Sequence, residues 1–318
     1  MTATIENAMQ YYPTASEIDE WCVNLLNESD RAPLSAELLP APDPWPLSLG
    51  VRHHEGHGYV KFTTGDETFY GFWQPALSGG PAPLLVHLPG YGAEMSAHPE
   101  LVAAGFNVLH VNPLGYNTPA GFDESKRPRG EWPVLPDTAA TFGKHGYRDF
   151  LRHALLATRW AQGLACVQPD RLGVFGSSQG GGTALLTASL LKDRGVKAVA
   201  ADVTALTNYP LVMRIGEAAG SGSYTHFALS PVTGECPERL PDAWRALGYF
   251  DTLSHAHRLA MPTLLTGAGL DTNTPIPSIR SLFDKLPATR SYTEIAGQQH
   301  RYSPLFLQLA KAWFIAHV

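Results

Sequence analysis

From about Val51 onward, short apolar runs alternate with amphipathic stretches, and the chemically rich motifs stand where apolar runs end. Leu84-Leu85-Val86-His87-Leu88 runs into Pro89-Gly90, and Phe106 to Val111 forms the next run. Leu172 to Phe175 leads into a glycine-rich turn and a helical stretch, Gly181 to Leu191. Val196 to Val203 and Thr263 to Leu265 continue the series, and Ser291 to Ile295 reads as the last strand. Between them, Tyr147 to Leu164 carries an apolar stripe at Tyr147, Phe150, Ala154, Ala157, Ala161 and Leu164, the three-and-four spacing of a helix. Ala97 to Ala104, Ile279 to Leu286 and Pro304 to Ala316 also read as helices. Buried strands separated by helices predict an α/β fold, with a mostly parallel central sheet and helices on both faces. Such sheets bind ligands at the carboxyl ends of their strands.

Two β-rich runs, Gly58 to Thr63 and Thr68 to Trp73, flank Thr64-Gly65-Asp66 and predict a hairpin. Upstream the pattern is weak. Ile18 to Leu26 predicts a short helix with Ser16 at its N-cap, and Pro40 to Pro46 suits neither helix nor central strand. We read residues 1–50 as an N-terminal arm packed on the main domain, 51–318. Two irregular stretches interrupt that domain, near 112–144 and 204–241. Loops that long usually serve as lids, interfaces or linkers.

Charge and composition exclude several classes. The net charge is -6 and the 23 basic residues are scattered, so no nucleic-acid partner is expected. No apolar run is long enough for a membrane span, and the first residues show no signal-peptide pattern. Three widely separated cysteines suit a reducing compartment. Together these predict a cytoplasmic protein with neither a nucleic-acid nor a membrane partner.

The strongest local signal is Gly173-Val-Phe-Gly176-Ser177-Ser178-Gln179-Gly180-Gly181-Gly182. It contains G-x-S-x-G between an apolar strand and a helix, the nucleophile-elbow setting that exposes a serine oxygen on a tight turn. The run is not a phosphate loop, since no G-K-S/T follows.

A serine hydroxyl needs a base, and the base needs an orienting carboxylate. In the α/β-hydrolase fold they follow in the order Ser, Asp/Glu, His. Asp271 stands just past the strand Thr263 to Leu265, and His300 just past the strand Ser291 to Ile295. Asp202 is the rival acid and ranks behind Asp271. His255, His257 and His317 are weaker base candidates because they look helical or terminal. The oxyanion hole needs two backbone N–H groups. Gln179, after the nucleophile, supplies one, and Tyr91 in the Gly90-Tyr91-Gly92 turn supplies the other.

These residues, in this order from about Val51 to the C-terminus, resemble the acetyl xylan esterase/cephalosporin-C deacetylase family, carbohydrate esterase family seven. Gly90-Tyr91, Ala103-Ala104-Gly105-Phe106, the Ser178 elbow, Ala201-Asp202-Val203, Gly248-Tyr-Phe250-Asp251 and the Asp271 to Pro275 loop carry the resemblance. It implies a serine esterase that removes short acyl groups, acetyl above all, from sugars or other alcohols. By position it implies Ser178 as nucleophile, Asp271 as acid, His300 as base, and Tyr91 and Gln179 at the oxyanion hole. Homo-oligomeric assembly is implied by the family too. The chain departs from the family where Arg-Gly-Gln becomes Leu114-Gly115-Tyr116. With Gly90, Leu114 and Tyr116 are the expected substrate-pocket residues, and the change predicts a more apolar rim.

The alternative is a peptidase or acyltransferase of the same fold. Peptidases of this kind commonly carry a large extra domain, for which 50 residues are too few. A non-catalytic scaffold is disfavoured because Ser, Asp and His all stand at their template positions. No cofactor and no metal site are expected. His53-His54-Glu55-Gly56-His57 is not H-E-x-x-H and reads as a solvated loop. Gly220-Ser-Gly222-Ser-Tyr224 reads as a lid turn, and Trp132-Pro133 lies in the first insertion.

Overall fold

The computed structural model of the chain describes residues 5–41, 56–92, 95–115, 117–123 and 147–318. A nine-stranded sheet runs through it: β1 (Ser35–Leu38), β2 (Gly58–Thr64), β3 (Glu67–Gln74), β4 (Ala82–Leu88), β5 (Asn107–Asn112), β8 (Val167–Ser177), β9 (Val196–Asp202), β10 (Thr263–Ala268) and β11 (Arg290–Ile295). Two very short strands, β6 (Asn117–Thr118) and β7 (Gly121–Phe122), pair separately. The order is β1-β2-β3-β5-β4-β8-β9-β10-β11. β1, β2, β3 and β5 are joined antiparallel, and every pairing from β5 through β11 is parallel. The expected hairpin is β2–β3, closed by Thr64 opposite Glu67 with Gly65 at φ 59°.

The chain leaves β4 to build β5 on one side and returns to build β8 on the other. Open α/β sheets place their ligand crevice at such a switch point. Leu84, Val86 and Val174 point into one core with Ile18 of α1 (Ala15–Arg31), Tyr147 of α3 (Tyr147–Gln162) and Leu185 of α4 (Gln179–Leu190). Leu85 and Phe175 point the other way, against Leu101 of α2 (Pro99–Ala103) and Phe306 and Phe314 of α9 (Pro304–His317). Helix α4 is buried on every side, which suits its uncharged, glycine-rich sequence.

Several local readings need correction. Helix α1 starts earlier than Ile18. Its N-cap is Thr14, not Ser16, because Thr14 and Glu17 close a capping box: Glu17 accepts from the Thr14 N–H at 2.8 Å and its own N–H reaches Thr14 Oγ1 at 3.4 Å. The stretch near 204–241 is helical, forming α5 (Tyr209–Ala218), α6 (Tyr224–Glu235) and the start of α7 (Leu240–Gly248). Asn208 and Ser223 cap the first two, so the Gly220 to Tyr224 segment is the joint between helices. Strand β8 begins at Val167, five residues before the apolar run that announced it.

The N-terminal residues join the main sheet. β1 pairs with β2 from Ser35 opposite Thr63 to Leu38 opposite Val60, and Ile18, Cys22 and Leu25 share the large core. Tyr12 donates its phenolic O–H to Asp251 Oδ2 at 2.9 Å. Most of the first insertion, Trp132-Pro133 and His53 to Glu55 lie outside the described residues. Among the described residues, no helix is long and apolar enough to cross a membrane.

Candidate active site

The site is assembled where β8 meets α4. Ser178 has φ 57° and ψ -122°, outside the usual regions for a residue with a Cβ. That conformation turns the chain sharply from strand to helix, and the surroundings enforce it. A Cβ on Gly176 would lie 2.4 Å from the Gly180 carbonyl oxygen. The Ser178 backbone is held on both sides, its N–H donating to Asp202 O at 2.9 Å and its carbonyl accepting from Ala205 N at 3.0 Å.

Three distant chain segments meet at this serine. Ser178 Oγ lies 2.8 Å from His300 Nε2, and His300 Nδ1 lies 2.7 Å from Asp271 Oδ2. His300 follows β11, while Asp271 follows β10 in a turn that its own carboxylate organises. Asp271 Oδ1 accepts from Asn273 N at 2.8 Å and Thr274 N at 2.9 Å, and Thr274 Oγ1 donates to Oδ2 at 2.7 Å. Burial pushes the Asp271 carboxyl up, but His300 and the Thr274 donors outweigh it and hold the group below its ordinary value. A carboxylate kept ionised and buried beside Nδ1 fixes the imidazole with its other nitrogen facing the serine.

Asp202, the rival acid, is spent elsewhere. Its oxygens accept from Ser177 Oγ at 3.0 Å and Thr266 Oγ1 at 2.5 Å. Burial pushes its carboxyl up to about 6. It buttresses the elbow from behind. His255 is buried away from the site, with Nδ1 at 2.8 Å from Ser189 Oγ. His257 faces Asp19 at 3.2 Å, and His317 meets Trp313 edge-on.

A cavity of about 510 Å³ opens over Ser178, and Gly90, Tyr91, Gln179 and His300 all line it. Gly90 is close to the elbow, a Cβ there standing 3.9 Å from Ser178 Cβ. Gln179 begins α4, so the helix presents its unpaired N–H groups to this cavity. Leu114 is not among the lining residues. Its N–H donates to His153 Nδ1 at 3.0 Å, its φ is 65°, and its side chain packs on the main core. Tyr116 lies outside the described residues.

Sequence reasoning missed most of the cavity wall. Leu206, Tyr224 and Phe227 form an apolar side, and Asn273, Arg301 and Tyr302 a polar one. Arg301 and Tyr302 directly follow His300, so chain adjacency was the one available signal for them.

With this geometry in hand, the comparisons are specific. The family described as Acetyl xylan esterase (AXE1) matches residues 59–318. The chain belongs to the acetyl xylan esterase family. Its activity class is carboxylic ester hydrolysis of the acetyl type, on an α/β-hydrolase fold. Acetyl Xylan Esterase 1 from Thermoanaerobacterium sp. JW/SL YS485 is similar in structure, with a TM-score of 0.77 at 18% identity, covering 96% of this chain and 94% of that one. Acetyl xylan esterase from Paenibacillus sp. R4 matches with a TM-score of 0.74 at 20% identity, covering 98% and 99%. Est1E from Butyrivibrio proteoclasticus matches more loosely, with a TM-score of 0.56 at 15% identity over 82% and 97%. At these identities the likeness of structures is one of fold, while the family match carries the activity class.

Proposed function

We propose that this esterase works through an acyl-enzyme on Ser178. His300 Nε2 takes the proton from Ser178 Oγ as that oxygen attacks the ester carbonyl carbon. The tetrahedral oxyanion is held by the N–H groups of Tyr91 and Gln179, the latter at the positive end of α4. Protonated His300 gives its proton to the departing alkoxide, and the alcohol leaves. Water then attacks the acyl-serine, giving one proton to His300. The carboxylic acid departs and Ser178 recovers its hydrogen. Asp271 stays ionised throughout and stabilises the imidazolium.

The single observation that carries this reading is the Ser178–His300–Asp271 chain of contacts at 2.8 and 2.7 Å beside an open cavity. In this reading Gly90 and Tyr91, which line the cavity beside the nucleophile, bound the acyl side and favour acetyl. The alcohol side runs toward Asn273, Arg301 and Tyr302, whose polar groups suit a hydroxyl-bearing alcohol such as a sugar. Three free cysteines support a cytoplasmic setting.

Turnover of p-nitrophenyl acetate by purified protein, with Ser178→Ala as control, tests the reading. Activity should fall by several orders of magnitude in the variant, with the circular dichroism spectrum preserved. More than a few per cent of residual activity rejects Ser178 as the nucleophile.

A further inference from the structure

Three histidines that the esterase chemistry does not use converge inside the protein. His87 lies near the carboxyl end of β4, and His110 stands opposite it on β5, in register. His98 comes from the segment just before α2. All three are buried, and none of them lines the catalytic cavity. His87 Nδ1 is 2.7 Å from His110 Nδ1 and 3.0 Å from His98 Nε2. Ser96 Oγ completes the group at 3.3 Å from His87 Nδ1, 3.4 Å from His98 Nε2 and 3.0 Å from His110 Nδ1.

We propose that His87, His98, His110 and Ser96 form a buried four-coordinate site for a divalent transition-metal ion of the zinc class. The geometry comes first. Four ligands at about 2.0–2.1 Å from a tetrahedral ion stand about 3.3 Å from one another. The five contacts above run from 2.7 to 3.4 Å, and the three histidine ligand atoms all lie within 4.8 Å of one another, the spacing that one small cation can bridge. Hydrogen bonding serves this arrangement poorly. His87 Nδ1 has one in-plane lone pair or one proton, and three polar atoms crowd it. A single cation satisfies all of them at once.

The chemistry of the donors selects the ion. Three imidazole nitrogens and a hydroxyl suit zinc and its neighbours, while calcium and magnesium prefer carboxylate and carbonyl oxygen. The ligating nitrogen must be unprotonated. Burial supplies that condition. All three rings are buried, and such surroundings disfavour the charged imidazolium. The His87 ring stacked on Phe175 at 4.6 Å holds one ligand, and the His98 backbone N–H donating to Gln74 Oε1 at 2.7 Å anchors the chain that carries another. Among the described residues this is the sole group of three or more His, Cys, Asp or Glu side chains with metal-binding spacing. A closed site of this kind is structural. It would clip the segment that follows the Gly90-Tyr91 turn onto β4 and β5.

The test counts metal directly. Tag-free protein is stripped with EDTA, incubated with excess zinc chloride, desalted and measured by plasma mass spectrometry. Wild type should retain about one zinc per chain, and His98→Gln and His110→Gln at least about 10-fold less. X-ray absorption of zinc-loaded wild type should read three imidazole nitrogens and one further light ligand at about 2.0–2.1 Å, a measurement that needs no variant. Retention below about a tenth of an ion per chain, equal retention by folded variants, or a zinc shell without imidazoles overturns the proposal. Loss of esterase activity plays no part in the readout, so failure here is distinct from failure of the acyl-enzyme reading.

Discussion

Gly180 and the Leu88 carbonyl oxygen are so close that a Cβ on the glycine would stand 2.1 Å from that oxygen, and 2.7 Å from the oxygen of Pro89. The elbow of β8 is thereby pressed against the end of β4. That closeness sets the nucleophile beside the turn carrying Gly90 and Tyr91. Gly180→Ala forces backbone apart at this point, and overpacking of this kind costs at least about 1–3 kcal/mol. Urea unfolding should show that loss, and kcat should fall with it. Gly80→Ala is the matched control, since a Cβ there meets nothing within 4 Å. An undiminished Gly180→Ala enzyme would mean the two turns are not locked together.

The two aspartates separate cleanly by contact. Asp271 faces His300, whereas Asp202 faces Ser177 and Thr266. Asp271→Asn should lower kcat by about 10⁴-fold, because the imidazole loses its orienting carboxylate. Asp202→Asn should retain most of the wild-type rate. Steady-state kinetics of both variants on one substrate checks this, and a dead Asp202→Asn beside an active Asp271→Asn would reverse the assignment.

Asp202 has a consequence for stability instead. Its carboxyl is raised by burial from 3.8 to about 6, so the folded protein binds a proton there that the unfolded chain releases. The contribution is intact below about pH 4 and is lost as pH rises through about 6. Its full size is about 3 kcal/mol. Asp202→Asn abolishes this term. The melting temperature of the variant relative to wild type should therefore climb between pH 4 and pH 7. A difference that is flat across that interval would show that Asp202 carries its charge in the fold without cost.

The proposed acyl side lies beside Tyr91, which lines the cavity. Each buried methylene would contribute about 0.8 kcal/mol if room existed, so an open acyl side predicts kcat/KM climbing along a series of p-nitrophenyl esters. We expect acetate to lead and octanoate to trail. Since Leu114 packs on the core away from the cavity, its departure from the family motif leaves the described walls unchanged. Acetylated xylo-oligosaccharides should accordingly be turned over, with Arg301→Ala raising KM for them more than for the aryl ester. A clear octanoate preference, or an Arg301→Ala effect equal on both substrates, would contradict this.

The fold and the three meeting side chains were legible because each depends on a local necessity. Small residues at Gly176 and Gly180 are needed by the turn itself, and Asp271 and His300 stand in the loops that follow β10 and β11. The cavity wall was hidden for the opposite reason. Helices α5 and α6 carry glycine, serine and proline that read as punctuation, and only their caps and packing make them helical. β1 is four residues with three exposed, too short and polar to announce a strand. The three histidines have no short spacing between them: register sets His87 beside His110, and the segment before α2 brings in His98.

Tyr12 reaches Asp251, and Asp251 in turn accepts from the N–H groups of Asn208, Tyr209 and Leu253. Asn208 and Tyr209 start the helix that follows the Val203 to Leu206 bend, where the chain wraps the back of Ser178. The match that identifies the family spans residues 59–318, yet this relay begins at residue 12. The stretch that identifies the family is thus shorter than the stretch its cavity wall depends on. A version trimmed to the recognisable portion would keep every reacting group and lose the strut that braces the wall behind them.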